Sequence, residues 1–107
     1  MADKITAIYL MVRYEELKPE DQGSYEAPLK RQKEECLRFL EQKTGEKKEE
    51  NVEVYTKRSQ LLKDIERDRV QRLVVYSVDR LGSNKEEIDG LLYELQLRQV
   101  ELLSVTE

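Results

Sequence analysis

Acidic and basic side chains follow two apolar segments of the chain, and these are the residues that could do chemistry. Asp79 and Arg80 come at the end of the run Leu73 to Val78, and Arg13 follows the run Ile5 to Val12. Two guanidinium groups and one carboxylate that converge could hold a phosphate group through paired hydrogen bonds. The alternative is that Asp79 caps a turn and that both arginines are surface charges, as residues of such short motifs often are.

The elements that must position these residues are strands. Both apolar runs have strand length and lack polar alternation, which predicts strands buried on both faces, as in a parallel sheet between helices. Residues 52–57 instead alternate between two faces, with Val52 and Val54 on one face and Glu53 and Tyr55 on the other. This pattern predicts a strand with one solvent-exposed face, so we place it at a sheet edge. Residues 100–105 form a fourth predicted strand.

Three amphipathic segments predict the helices between these strands. The first runs over residues 28–44 and the second over about 58–69. The third follows Ser83, whose spacing to Glu86 is that of a capping box. Alternating strands and helices predict an α/β fold, a three-layer α/β/α sandwich with a mainly parallel four-stranded sheet of order 2-1-3-4.

This strand order brings the candidate residues together. The order reverses between the first and third strands, and ligands of open α/β sheets bind at the carboxyl ends of the strands where that happens. Arg13 and Tyr14 are therefore expected beside Ser77, Asp79 and Arg80.

Length and composition exclude several classes of protein. A chain of 107 residues predicts a single domain over residues 1–107. One cysteine and no histidine argue against a disulfide, a zinc site or a histidine-based triad, and we expect no metal and no cofactor. A net charge of -4 argues against tight binding of duplex DNA by this chain alone. Without a signal peptide or a membrane-spanning segment, the expected location is cytoplasmic.

Four segments of the chain are similar to those of a known family: Ala7 to Val12, Leu29 to Cys36, Val74 to Leu81 and Leu103 to Glu107. Together they resemble the N-terminal catalytic domain of the serine recombinases, the resolvase and DNA-invertase family. The resemblance covers nearly the whole chain and implies a resolvase-like fold.

The resemblance also implies a chemistry, and the chain departs from it. In that family a serine on the turn leaving the first strand attacks a DNA phosphodiester, and arginines stabilise the phosphoryl charge without a metal. By position, Met11 stands at the family's strand arginine, Arg13 at its serine nucleophile and Leu17 at a glutamine. The family's Asp-Arg pair is kept as Asp79 and Arg80, but the arginine expected three residues after Arg80 is replaced by Ser83.

A second departure lies between Tyr55 and Leu61, where the family carries a longer mobile loop with a catalytic arginine. This chain has only five residues there, and Arg58 is the residue that could partly stand in. The resemblance therefore predicts a recombinase-like domain that is catalytically inactive. Its phosphate-binding or DNA-binding candidates are Arg13, Asp79, Arg80 and Arg58.

Tyr14 is a poor substitute nucleophile, because a phenol has a pKa near 10 and no base is identified for it.

These departures set the expected partners. The family's long dimer helix and C-terminal DNA-binding domain are not in these residues, so we expect a monomer that binds DNA only weakly or through a partner such as an active recombinase. The alternative function is a phosphate-sensing or protein-interaction α/β module without DNA chemistry. A receiver-like version of that module is disfavoured, because its acidic pair and its lysine do not recur at the required strand ends.

Overall fold

The computed structural model describes residues 4–12, 17–21, 23–44 and 51–106, and in these ranges four parallel strands form one sheet. The strands are β1 (Ile5–Tyr9), β2 (Val52–Tyr55), β3 (Val70–Val75) and β4 (Glu101–Ser104), in the order β2-β1-β3-β4. The helices are α1 (Glu26–Thr44), α2 (Arg58–Glu66) and α3 (Lys85–Leu97), with 3-10 turns at Pro19–Asp21 and Val78–Leu81. The predicted fold class and strand order are confirmed.

The sheet is covered on both faces, as the unbroken apolar runs predict. On one face, α1 packs Cys36 and Leu40 against Ile8 and Val74. On the other face, α2 and α3 cover the alternate residues of β1 and β3 together with Tyr55; the buried members of this cluster include Ala7, Leu73, Val75, Leu61, Ile65, Leu91 and Leu95. Burying a side chain of this size contributes about 1.5–3 kcal/mol, so these two layers hold the sheet in place.

β1 is shorter than the sequence predicts, and its neighbours explain why. The predicted strand ran to Val12, whereas the paired strand ends at Tyr9, which lies opposite Tyr55 of β2 and Val75 of β3. Both neighbouring strands end at those residues. Since a strand exists only where another strand pairs with it, the apolar residues beyond Leu10 leave the sheet.

β2 lies at the sheet edge as predicted, but the prediction that Tyr55 lies on its solvent-exposed face is wrong. Tyr55 is 7% exposed and Val54 is 39% exposed. Tyr55 faces α2, where its hydroxyl donates to Asp64 Oδ2 at 2.5 Å and also lies 3.2 Å from Glu53 Oε2. A tyrosine can bury its ring while its hydroxyl finds a polar partner, which the alternation pattern does not reveal.

β3 also ends earlier than predicted, at Val75 instead of Val78. Asp79 and Arg80 therefore lie in the 3-10 turn that follows the strand by two residues. The predicted capping box is displaced by one residue: Asn84 is the N-cap of α3 and accepts from the Glu87 N–H at 2.9 Å, while Glu87 Oε1 accepts from the Ser83 N–H at 2.7 Å.

The turns after α2 and α3 have the same form. Asp68 (φ 58°) and Gln99 (φ 57°) adopt the left-handed conformation, and the next N–H donates five residues back, from Arg69 to Asp64 and from Val100 to Leu95. This stop ends α2 at Glu66, before the predicted Arg69. None of the helices in the described ranges is both long and apolar enough to cross a membrane.

Candidate functional site

Arg80 is the charged residue around which the candidate site is built. The turn after β3 places its side chain next to the backbone that follows β1, and the residue is only 9% exposed. Its Nη1 donates to the Met11 carbonyl at 2.5 Å and its Nε to Ser77 Oγ at 3.2 Å, and its guanidinium carbon lies 5.0 Å from the centre of the Tyr76 ring. A buried charge is stabilised by such hydrogen-bond and aromatic partners.

Asp79 lies beside Arg80 on the exposed side of the same turn. The Ser77 hydroxyl donates to Asp79 Oδ1 and accepts from Arg80, so it connects the carboxylate to the guanidinium. This carboxylate adds a negative charge at the rim of the site, which opposes the binding of an anion by Arg80.

Gln32 reaches the same place from α1. Its Oε1 accepts from the Met11 N–H at 2.9 Å, and its Nε2 donates to the Met11 carbonyl, also at 2.9 Å. Gln32 is 7% exposed, so this side chain and Arg80 meet at one buried carbonyl oxygen. The carbonyl has two lone pairs, which is enough for both donors.

A cleft of about 270 Å³ opens beside Gln32 and Arg80, between α1 and the end of β3. Three cations and one carboxylate are among the residues that line it, which are Val12, Lys18, Pro28, Arg31, Gln32, Glu35, Tyr76 and Arg80. The excess of positive charge favours an anionic ligand over a cationic one.

The other predicted site residues that the structure describes are not among the residues that line this cleft. Met11 contributes its backbone to the site, and its half-buried side chain packs against the α2 and α3 cluster. Leu17 is half-buried, and Ser83 is exposed with its N–H bound to the α3 cap. Arg13 and Tyr14 lie outside the described residues.

Arg58 stands at the start of α2 and binds backbone groups. Its Nε donates to the Leu81 carbonyl and its Nη2 to the Glu87 carbonyl, each at 2.9 Å. These bonds connect α2 to the turn that carries Arg80 and to the first turns of α3. Arg58 is not among the residues that line the cleft.

Two further groups that could serve as nucleophiles are buried and protonated at neutral pH. Burial, with a smaller contribution from Glu35, raises the pKa of the Cys36 thiol to about 12. Burial also raises the pKa of Tyr9, against an opposing effect of Arg58. A thiol of this kind is unreactive, because the thiolate is the nucleophile. Within the described ranges, no group of three or more carboxylate or thiol side chains is placed to hold a metal ion.

Sequence reasoning missed Gln32, Tyr76, Lys18 and Arg31 as members of the site. For Gln32 a signal was present: it lies three residues after Leu29 and four before Cys36, on the apolar face of α1. A polar residue in that position must find a buried partner. The partner is two elements away in the fold, and the sequence does not identify it.

Comparison with known proteins assigns the family. A search of curated proteins found no match. Residues 19–107 match the family model described as Resolvase, N terminal domain. The match begins after Met11, Arg13 and Leu17, so the family roles of those three positions stay predictions. Because the model matches well over half of the chain and the observed sheet has the predicted resolvase-like order, the chain belongs to the family of serine recombinase (resolvase) N-terminal domains.

Proposed function

We propose that this chain is a serine-recombinase-type domain that takes part in DNA recombination without strand-exchange chemistry of its own. The observation that carries the proposal is the state of Arg80, the family guanidinium that the chain retains. It is bound by the Met11 carbonyl, Ser77 and the Tyr76 ring. The internal bonds of Arg80 therefore stabilise the fold. In an active enzyme, a cation at this position must be directed at the reacting phosphate.

The surrounding positions support the same proposal. The residue at the next family arginine, Ser83, is exposed and contributes its N–H to a helix cap. Two residues, Thr56 and Lys57, connect β2 to α2, which leaves no room for the family's longer mobile loop. Removing one donor to a transition state costs about a hundredfold to a thousandfold in rate, and without the serine nucleophile the covalent route is lost.

We propose that the cleft keeps a weak affinity for anions. Lys18, Arg31 and Arg80 line it, opposed by Glu35 in the cleft and by Asp79 at its rim. A millimolar dissociation constant, about 4 kcal/mol of binding free energy, suits a site in which carboxylates offset part of the positive charge. With a net charge of -4, the chain would bind DNA weakly or through a recombinase partner, such as one encoded by a mobile element.

A second candidate function is favoured by the same cleft. A phosphate-sensing or protein-interaction module would use the three cations without any contact to DNA. The two functions differ in the size of the ligand. The phosphate-sensing or protein-interaction module should respond to a small anion. Adding DNA at the same ionic strength should produce no response beyond that of the small anion.

The test of the first proposal uses supercoiled plasmid DNA and an active serine recombinase as positive control. The chain should leave the plasmid supercoiled. The triple variant Met11→Arg, Arg13→Ser and Ser83→Arg should also fail to nick it, because the two-residue connection before α2 is unchanged. Nicking by the wild-type chain would refute the proposal, and nicking by the triple variant alone would show that the short connection is not an obstacle.

A further inference from the structure

Just beyond β1, the backbone has groups that the neighbouring strands no longer pair, because both strands have ended. The Leu10 N–H still donates to the Tyr55 carbonyl at 2.9 Å, which is the last bond from β1 to β2. Met11 follows, half-buried and past the ends of both neighbouring strands. Its N–H and carbonyl need partners, because buried backbone groups without hydrogen bonds are rare in folded proteins.

Gln32 supplies both partners. Its carboxamide carries one acceptor and one donor side by side, as a peptide group does, and both atoms bond to Met11 at 2.9 Å. One side chain of α1 therefore continues the sheet by one residue. It holds the backbone of Met11 in place, one residue past the last bond to β2.

The same bonds connect Gln32 to Arg80. The Met11 carbonyl accepts from Gln32 Nε2 and from Arg80 Nη1, so a displacement of Met11 moves the acceptor that holds the guanidinium. We propose that Gln32 is a positioning residue, which sets the place of Arg80 in the cleft through the shared Met11 carbonyl. This inference rests on the anion-binding role proposed above.

The substitution Gln32→Glu tests the inference, because its effect depends on pH. A protonated glutamic acid has one O–H donor and one carbonyl acceptor, and so it reproduces both bonds of the amide. The ionised form can only accept, which breaks the bond to the Met11 carbonyl and places a negative charge beside Arg80. We therefore expect the variant to resemble the wild type at acidic pH and to depart from it as the carboxylate ionises.

Three signals are followed against pH by nuclear magnetic resonance: the Met11 amide, the Arg80 Nε–H and the response to inorganic sulfate. Sulfate is used because it stays a dianion over this range, whereas phosphate changes charge. Other groups at the cleft or its rim titrate or carry charge, namely Lys18, Arg31, Glu35, Tyr76, Asp79 and Arg80. The wild-type chain measured at each pH removes their contribution. Gln42→Glu, on the exposed side of α1, is the matched control.

We expect the Met11 and Arg80 signals of Gln32→Glu to move together with a single pKa, and sulfate affinity to fall as they move. Signals that do not depend on pH, or an equal effect of Gln42→Glu, would overturn the inference. If the wild-type chain does not bind sulfate, the proposed anion site is wrong. The Met11 and Arg80 signals then still decide whether Gln32 positions Arg80.

Discussion

Replacing Arg80 by alanine tests whether the internal bonds of this residue stabilise the fold. The variant loses the charge-assisted bond to the Met11 carbonyl, which contributes about 1.5–3 kcal/mol in a typical protein. It also loses the contact with the Tyr76 ring, which contributes about 0.5–1 kcal/mol. Because Arg80 is only 9% exposed, water does not replace these partners in the folded chain. We expect the free energy of unfolding to fall by about 3 kcal/mol.

Urea denaturation followed by circular dichroism measures this change, with the slope of the transition checked for constancy. In a thermal melt, the same loss lowers the midpoint by about 12 °C, at roughly 4 °C per kcal/mol for a domain of this size. Arg38→Ala, at an exposed position of α1, is the matched control and should change stability by less than about 0.5 kcal/mol. A loss below about 1 kcal/mol for Arg80→Ala would refute the reasoning, because it would mean that the guanidinium is not held by its internal partners.

Two further predictions concern packing and pH. Gly82→Ala should cost about 1–3 kcal/mol in a urea melt, because the added Cβ would lie 2.4 Å from the Glu87 Cβ; a neutral result would mean that α3 can shift at its first turns. The hydrogen bond from Tyr55, followed by smaller effects of Arg69, lowers the pKa of Asp64 below its usual value. The stability contributed by this bond is therefore present above the unfolded carboxyl's pKa, near 3.9, and is lost as pH falls through the lower folded pKa. Tyr55→Phe should weaken that acid-induced loss in urea melts at pH 7, 4 and 3, and an unchanged pH dependence would contradict the role of the bond.

The layers of the fold follow from local patterns, and the ends of the strands do not. The unbroken runs around Ile8 and Val74 predict buried central strands, and the polar alternation after Val52 predicts an edge strand. Where β1 stops depends on the lengths of β2 and β3, which are distant in sequence. The face of Tyr55 depends on Asp64, which lies in the next helix.

The same distinction applies to the candidate site. The sequence identifies Asp79 and Arg80, because an acid and a base after an apolar run stand out locally. It does not show that Arg80 turns inward, since its partner Met11 is distant in the chain. The role of Gln32 depends on the same distant residue. Site residues with local signals are predictable, whereas those defined by a shared backbone group are not.

The central claim is that the chain keeps the recombinase fold without its covalent chemistry, and intact-protein mass measurement after incubation with DNA tests it most directly. A pool of supercoiled plasmids replaces a defined site, and the reaction is stopped with denaturant so that a phosphoserine linkage to DNA survives. An active serine recombinase treated in the same way provides the positive control. We expect the mass of the chain to remain that of the free protein. A DNA adduct that resists denaturation would contradict the account, and its position in the sequence would identify the nucleophile.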